Sequence, residues 1–94
     1  MRLRLASTSR WYGEARSANV IGDIPGRTHR NEIVLLGAHL DSWDVGTGAQ
    51  DDAAGIAIVT EAARRIAALP QRPGRTLRVV LYANEEFGLS GGRQ

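Results

Sequence analysis

Three short clusters hold the residue types that can do chemistry: His39-Leu40-Asp41, Asp51-Asp52 and Glu85-Glu86. They set one imidazole among several carboxylates, with few cations near them in sequence. Like charges held close repel, and burial sharpens the repulsion. A divalent cation relieves it, and imidazole with carboxylate is an accepted ligand set for zinc. The chain has no cysteine, so disulfides and thiolate sites are excluded and any metal must be held by His, Asp or Glu. Taken singly, each cluster has a plainer use. A lone histidine after a strand is commonly just polar, Asp51-Asp52 suits a helix N-terminus, and Glu85-Glu86 suits a solvated turn. The metal reading rests on all three falling together at the ends of elements. His29 stands in a polar loop without companions and is assigned to the surface. Trp11 and Trp43 suit core, rim or substrate contact, with core or rim favoured.

The elements that must position these clusters are legible in outline. Leu3 and Leu5 alternate with Arg2 and Arg4, a pattern for a short strand with one wet face. Residues 19–24 suit a second strand, ended by the Pro25-Gly26 turn signal. Gly26 to Glu32 reads as an exposed loop. The continuous apolar run Ile33-Val34-Leu35-Leu36-Gly37-Ala38 predicts a strand buried on both faces and leads straight into His39. After a flexible loop over 46–50, Ile56, Val59, Ala63 and Ile66 follow the helical period, predicting a helix from about Asp52 to about Leu69 that Pro70 and Pro73 end. Arg75 to Ala83 is the next strand, closed by Asn84-Glu85-Glu86. The fold class is therefore α/β, and in open α/β sheets ligands bind outside the carboxyl ends of strands, where these clusters fall.

Composition narrows the alternatives. The 94 residues allow one small domain at most, and 43% apolar residues is ordinary for a globular protein. The net charge is +2; all twelve basic residues are Arg, and they are scattered rather than gathered on one stretch. Nucleic-acid binding is not expected from that pattern. No run approaches the roughly 18 apolar residues of a membrane span, and the start of the chain lacks the apolar stretch of a signal peptide. Localisation and oligomeric state stay open.

Three ordered segments then carry a resemblance: Gly37-Ala38-His39-Leu40-Asp41-Ser42-Trp43-Asp44, Gly48-Ala49-Gln50-Asp51-Asp52-Ala53-Ala54-Gly55, and Asn84-Glu85-Glu86-Phe87-Gly88-Leu89. Together with Asn19-Val20-Ile21-Gly22 through Pro25-Gly26, they resemble the M28 family of zinc peptidases, in particular its carboxypeptidase Q-like and aminopeptidase-like members. The likeness covers about residues 17–94.

It implies that the chain is the N-terminal part of a three-layer α/β/α zinc-exopeptidase domain with a mixed central sheet, truncated. It also implies a site of two Zn2+ ions, with His39 on one, Glu86 on the other and Asp51 bridging. Glu85 would be the general base for a metal-activated water, and Asp41 would orient His39 in a carboxylate–histidine–metal arrangement. Asp52 would not be a ligand, and the Asp51–Asp52 bond would be cis. The family supplies a further Asp and a further His ligand later in its chain, so these residues alone are expected to be inactive. The implied activity is hydrolysis of terminal peptide bonds in a peptide substrate, as an aminopeptidase, carboxypeptidase or dipeptidase. Which end is recognised stays open, and members are often secreted or periplasmic. The alternative is a non-enzymatic, transferrin-receptor-like binding module.

Overall fold

The computed structural model describes residues 1–94. Four regular elements set the architecture: strands β1 (Val20–Ile24) and β2 (His29–His39), helix α1 (Ala53–Ala67) and strand β3 (Arg75–Tyr82), followed by a single 3-10 turn at Gly91–Arg93. The strands form one mixed sheet in the order β1-β3-β2, with β3 antiparallel to β1 and parallel to β2. β3 is rich in β-branched and aliphatic residues and lies between two neighbours, so the core gathers there. Leu77 and Val80 are buried, with Ala38 of β2 and Ala83 just past the strand end. The expected mixed α/β sheet is present, with α1 supplying its helical cover against β2 and β3.

A parallel pair needs a crossover, and α1 provides it. Ile56, Val59, Ala63 and Ile66 are half-buried while Ile58 is exposed, so the apolar stripe faces the sheet. Arg64 and Arg65 lie in the last turn, where cations complement the helix dipole, and both hold the Glu61 carboxylate. The start of β2 is fixed by Thr76. Its buried hydroxyl donates to the Arg30 carbonyl at 2.8 Å and accepts the Gly26 N–H at 2.9 Å.

Four expectations are corrected. The Leu3–Leu5 stretch is no strand: both leucines are exposed and no neighbouring strand supplies a ladder, without which alternation alone does not hold a strand. The loop ends at Thr28, because His29–Glu32 belongs to β2, whose pairing with β3 shifts register between His29 and Ile33. β2 is not buried on both faces. It is an edge strand in this sheet, and Ile33, Val34 and Leu35 remain about half exposed. Trp11 lies in neither core nor rim but is exposed in the irregular N-terminal stretch.

Across β1 and β3, Asp23 pairs with Arg78 in register, and the guanidinium grips the carboxylate with two bonds of 2.8 and 2.7 Å. The Arg78 bonds hold the Asp23 carboxyl below its ordinary value of 3.8. A carboxyl with a depressed folded-state value binds fewer protons folded than unfolded. The pair's contribution is therefore present above 3.8 and is lost as pH falls through the depressed value. Chemical denaturation from neutral pH downward should show Asp23→Asn losing part of that pH dependence. Identical acid profiles for the variant and the natural chain would contradict it.

Candidate metal centre

His39 is the last residue of β2 and lies opposite Tyr82, the last residue of β3, in the parallel register. The ladder runs one step further, with the Leu40 N–H donating to the Tyr82 carbonyl at 2.7 Å. Both strands therefore deliver their next residues to one edge of the sheet. The His39 Nδ1–H donates to the Asp41 carbonyl at 2.9 Å. A carbonyl only accepts, so this bond fixes the proton on Nδ1 and turns Nε2 outward. Nε2 lies 3.0 Å from Asp51 Oδ1 and 4.0 Å from Glu85 Oε2.

Asp41 uses its two chemical ends differently. The carbonyl orients His39, while the carboxylate accepts the backbone N–H groups of Glu85 at 2.9 Å and Glu86 at 3.0 Å. The loop after β3 is thereby tied to the loop after β2. Asn84 opens that loop at φ 59°, a left-handed conformation that Asn tolerates better than most residues.

The third segment of the site is the entry to α1. The Asp51–Asp52 bond is cis. Asp52 occupies the cap position, but its side chain makes no cap bond. Instead, Asp52 Oδ2 accepts the backbone N–H of His39 at 3.0 Å. The capping use considered from sequence is thus replaced by a tie to β2. Gly55 permits this, since a Cβ there would overlap the Asp52 carboxylate. The leading Ala53 N–H is satisfied by the Gly48 carbonyl at 2.9 Å.

The outcome is a cluster in which ligand atoms of His39, Asp51 and Glu86 all lie within 4.8 Å of one another. Glu85 faces the same space. His29 lies elsewhere, bonded through Nδ1 to the Thr28 hydroxyl. Asn19, read in the sequence only as part of the segment before the apolar run, accepts the Ala83 N–H and donates to the Gly91 carbonyl, pinning the segment beyond Glu86. A long-range amide clamp of this kind leaves no local motif.

Charge explains how the cluster behaves. Burial opposes a charged His39, but the Asp41 carbonyl, the Asp51 carboxylate and the charges of Asp52 and Glu85 outweigh it and raise its pKa. Burial, together with the charges of Asp51, Glu85 and Asp41, raises Glu86 as well, against the lowering effect of His39. Asp41 moves the other way: burial would raise it, yet the Glu85 and Glu86 N–H groups, its own backbone and His39 lower it. Glu86 Oε1 is buried without a hydrogen-bond partner. An unpaired buried carboxylate oxygen is costly, and a cation would satisfy it. The donor set therefore fits a divalent ion favouring nitrogen and oxygen ligands.

The model for Peptidase family M28 matches residues 19–94. The chain belongs to peptidase family M28. Carboxypeptidase Q of Bos taurus is 44% identical over 92 residues, covering 98% of this chain and 20% of that protein. A probable glutamate carboxypeptidase of Arabidopsis thaliana is 36% identical over 83 residues, covering 85% of this chain and 12% of that protein. Among solved structures, the Peptidase M28 precursor of Shewanella amazonensis is 67% identical with a TM-score of 0.77, covering 80% of this chain and 17% of that one. The chain thus spans about a fifth or less of the length of these relatives.

Removing the Asp41 carboxylate should leave the Glu85 and Glu86 N–H groups without their acceptor. Loss of an outer partner of a metal ligand typically costs about 10–100-fold in metal affinity. Asp41→Ala in the full-length protein should show a drop of that order in competition titrations against a chelator, with an unchanged circular dichroism spectrum. Unaltered affinity would remove Asp41 from this role.

Proposed function

We propose that these residues form the N-terminal part of the catalytic domain of a metal-dependent exopeptidase acting on peptide termini. The observation that carries the proposal is the convergence of His39, Asp51 and Glu86, with Glu85 beside them. Family membership supports a peptidase. His39, Asp51 and Glu86 would hold zinc, two ions in a complete site, with Asp51 shared between them. When bound, such ions polarise a carbonyl and acidify water.

The chain's own groups account for the proton movements. Glu85 forms no ion pair with an arginine, and its carboxylate faces the ligand cluster and is partly exposed, with Oε2 4.0 Å from His39 Nε2. It takes a proton from water as the oxygen attacks the scissile carbonyl. It returns that proton to the leaving amine as the C–N bond breaks. The Asp41 carboxylate, by gripping the Glu85 and Glu86 N–H groups, holds general base and ligand at a fixed separation. A binding module would need none of this convergence, and no feature of the site favours that alternative.

Two measurements test the proposal. In the full-length protein, Glu85→Ala should retain zinc and lose about 10²–10⁴-fold in turnover, the usual contribution of a general acid–base group. His39→Ala should lower zinc content. Zinc loss in the Glu85 variant, with full occupancy in the His39 variant, would reverse the assignments. Expressed as the 94 residues alone, the chain should release no amino acid from dipeptides with added zinc. A catalytic zinc usually has three protein ligands, whereas the cluster offers three ligand side chains for two ions. Zinc-dependent turnover matching the full-length protein would refute that expectation.

A further inference from the structure

Beside the ligand cluster lies a cavity of about 220 Å³. Asp51 and Glu86 form one side of it, and Ser42, Trp43, Gly46, Gly48, Ala49 and Gln50 form the rest. The glycines and alanine leave the space open, and Trp43 supplies its large apolar surface. The Trp43 ring is 61% exposed and Phe87 is 49% exposed. The two rings meet edge to face, with centroids 5.1 Å apart and planes at 62°. That geometry is a favourable aromatic pairing, so each ring limits the other's movement.

The loop carrying Trp43 is tightly closed. The Gly46 N–H donates to the Trp43 carbonyl at 2.9 Å, and the Ser42 hydroxyl reaches the Gly46 carbonyl at 3.5 Å. Gly48 sits at φ 63°, and a Cβ there would come within 2.8 Å of the Ser42 Cβ. Val45 also adopts a left-handed φ of 63°, an outlier for a β-branched residue. Backbone strain of this sort concentrates at ligand clamps. Phe87 directly follows the ligand Glu86 in sequence. The aromatic pair therefore bridges the same two loops as the metal cluster and fixes a wall at a set distance from it.

We infer that Trp43, backed by Phe87, is the specificity wall for the reaction proposed above, and that the cavity receives an apolar side chain flanking the scissile bond. The inference rests on the peptidase proposal and adds the substrate class. The cavity has the size of one side chain rather than of a larger ligand. An acidic side chain would face Asp51 and Glu86. The apolar ring favours aliphatic and aromatic residues, and a basic side chain is the competing occupant. Packing of the pair against another part of a longer polypeptide is the other alternative.

The test uses the full-length, zinc-loaded protein with symmetrical dipeptides, so that the end recognised does not matter: Leu-Leu, Phe-Phe, Ala-Ala, Lys-Lys and Asp-Asp. The natural protein should favour Leu-Leu and Phe-Phe. Trp43→Ala should lower kcat/KM for those two by about 10–200-fold relative to Ala-Ala, the range a hydrophobic pocket discriminates. Phe87→Leu should shift selectivity in the same direction by less, and Trp43→Phe should keep most of the preference. An equal loss across all five substrates would mean a structural role and overturn the inference. So would unchanged selectivity in Trp43→Ala, or a natural preference for Lys-Lys or Asp-Asp. Absence of zinc-dependent turnover on every substrate by the natural protein would instead defeat the peptidase proposal itself.

Discussion

Parallel pairing of β2 with β3 places the carboxyl ends of both strands on one edge of the sheet, and the His39–Tyr82 register sets how far each projects. The loops that follow are then neighbours. Asp41 can reach the Glu85 and Glu86 N–H groups because it lies two residues past His39, while they lie three and four past Tyr82. The crossover helix must start on that same edge, which brings Asp51 and Asp52 into reach. A slip of one residue along β2 would turn His39 to the opposite face and dismantle the cluster. The site is therefore a consequence of strand register more than of any single loop.

Backbone groups, not cations, hold the acidic residues together. Asp41 accepts two N–H bonds from the loop after β3, and Asp52 accepts one from His39. Each bond uses a carboxylate to fasten one segment of the site to another, leaving the carboxylates of Asp51, Glu85 and Glu86 free to gather around His39 Nε2. Arginines serve other ends: Arg78 binds Asp23, while Arg64 and Arg65 bind Glu61, away from the ligand cluster. Burial and then the neighbouring carboxylates raise Glu86, while the Asp41 carbonyl and those carboxylates raise His39 against the effect of burial. Protons compete with metal for such ligands, so the arrangement favours a cation most when those groups are deprotonated.

The parts of this arrangement legible in sequence were those fixed locally. The helical period of Ile56, Val59, Ala63 and Ile66, the Pro25-Gly26 turn and the apolar run into His39 each depend on near neighbours, and each lies where it was expected. Burial depends on distant neighbours and was read less well. The run Ile33–Leu35 looks like a doubly covered strand but occupies a sheet edge, and the Leu3–Leu5 alternation has no partner to pair with. The clusters were visible as residue types. The backbone ties made by Asp41 and Asp52 were not, because the bond from His39 to Asp52 crosses 13 positions and those from Glu85 and Glu86 to Asp41 cross 44 and 45. No short pattern encodes such reach. The Trp43–Phe87 contact escaped for the same reason.

The cluster is uneven in a way that bears on how an ion would enter. The His39 side chain is 12% exposed and is fixed at Nδ1, whereas the Asp51 side chain is 75% exposed. Glu86 is held through its backbone and keeps one carboxylate oxygen buried and unpaired. Two of the three candidate ligands thus lie in the floor of the cluster, and the third stands at its open rim. Ordering an exposed carboxylate costs side-chain entropy that a pre-fixed imidazole has already lost. A cation held at this cluster would therefore order Asp51 more than His39. The open side of the cluster lies beside Trp43 and the cavity it lines.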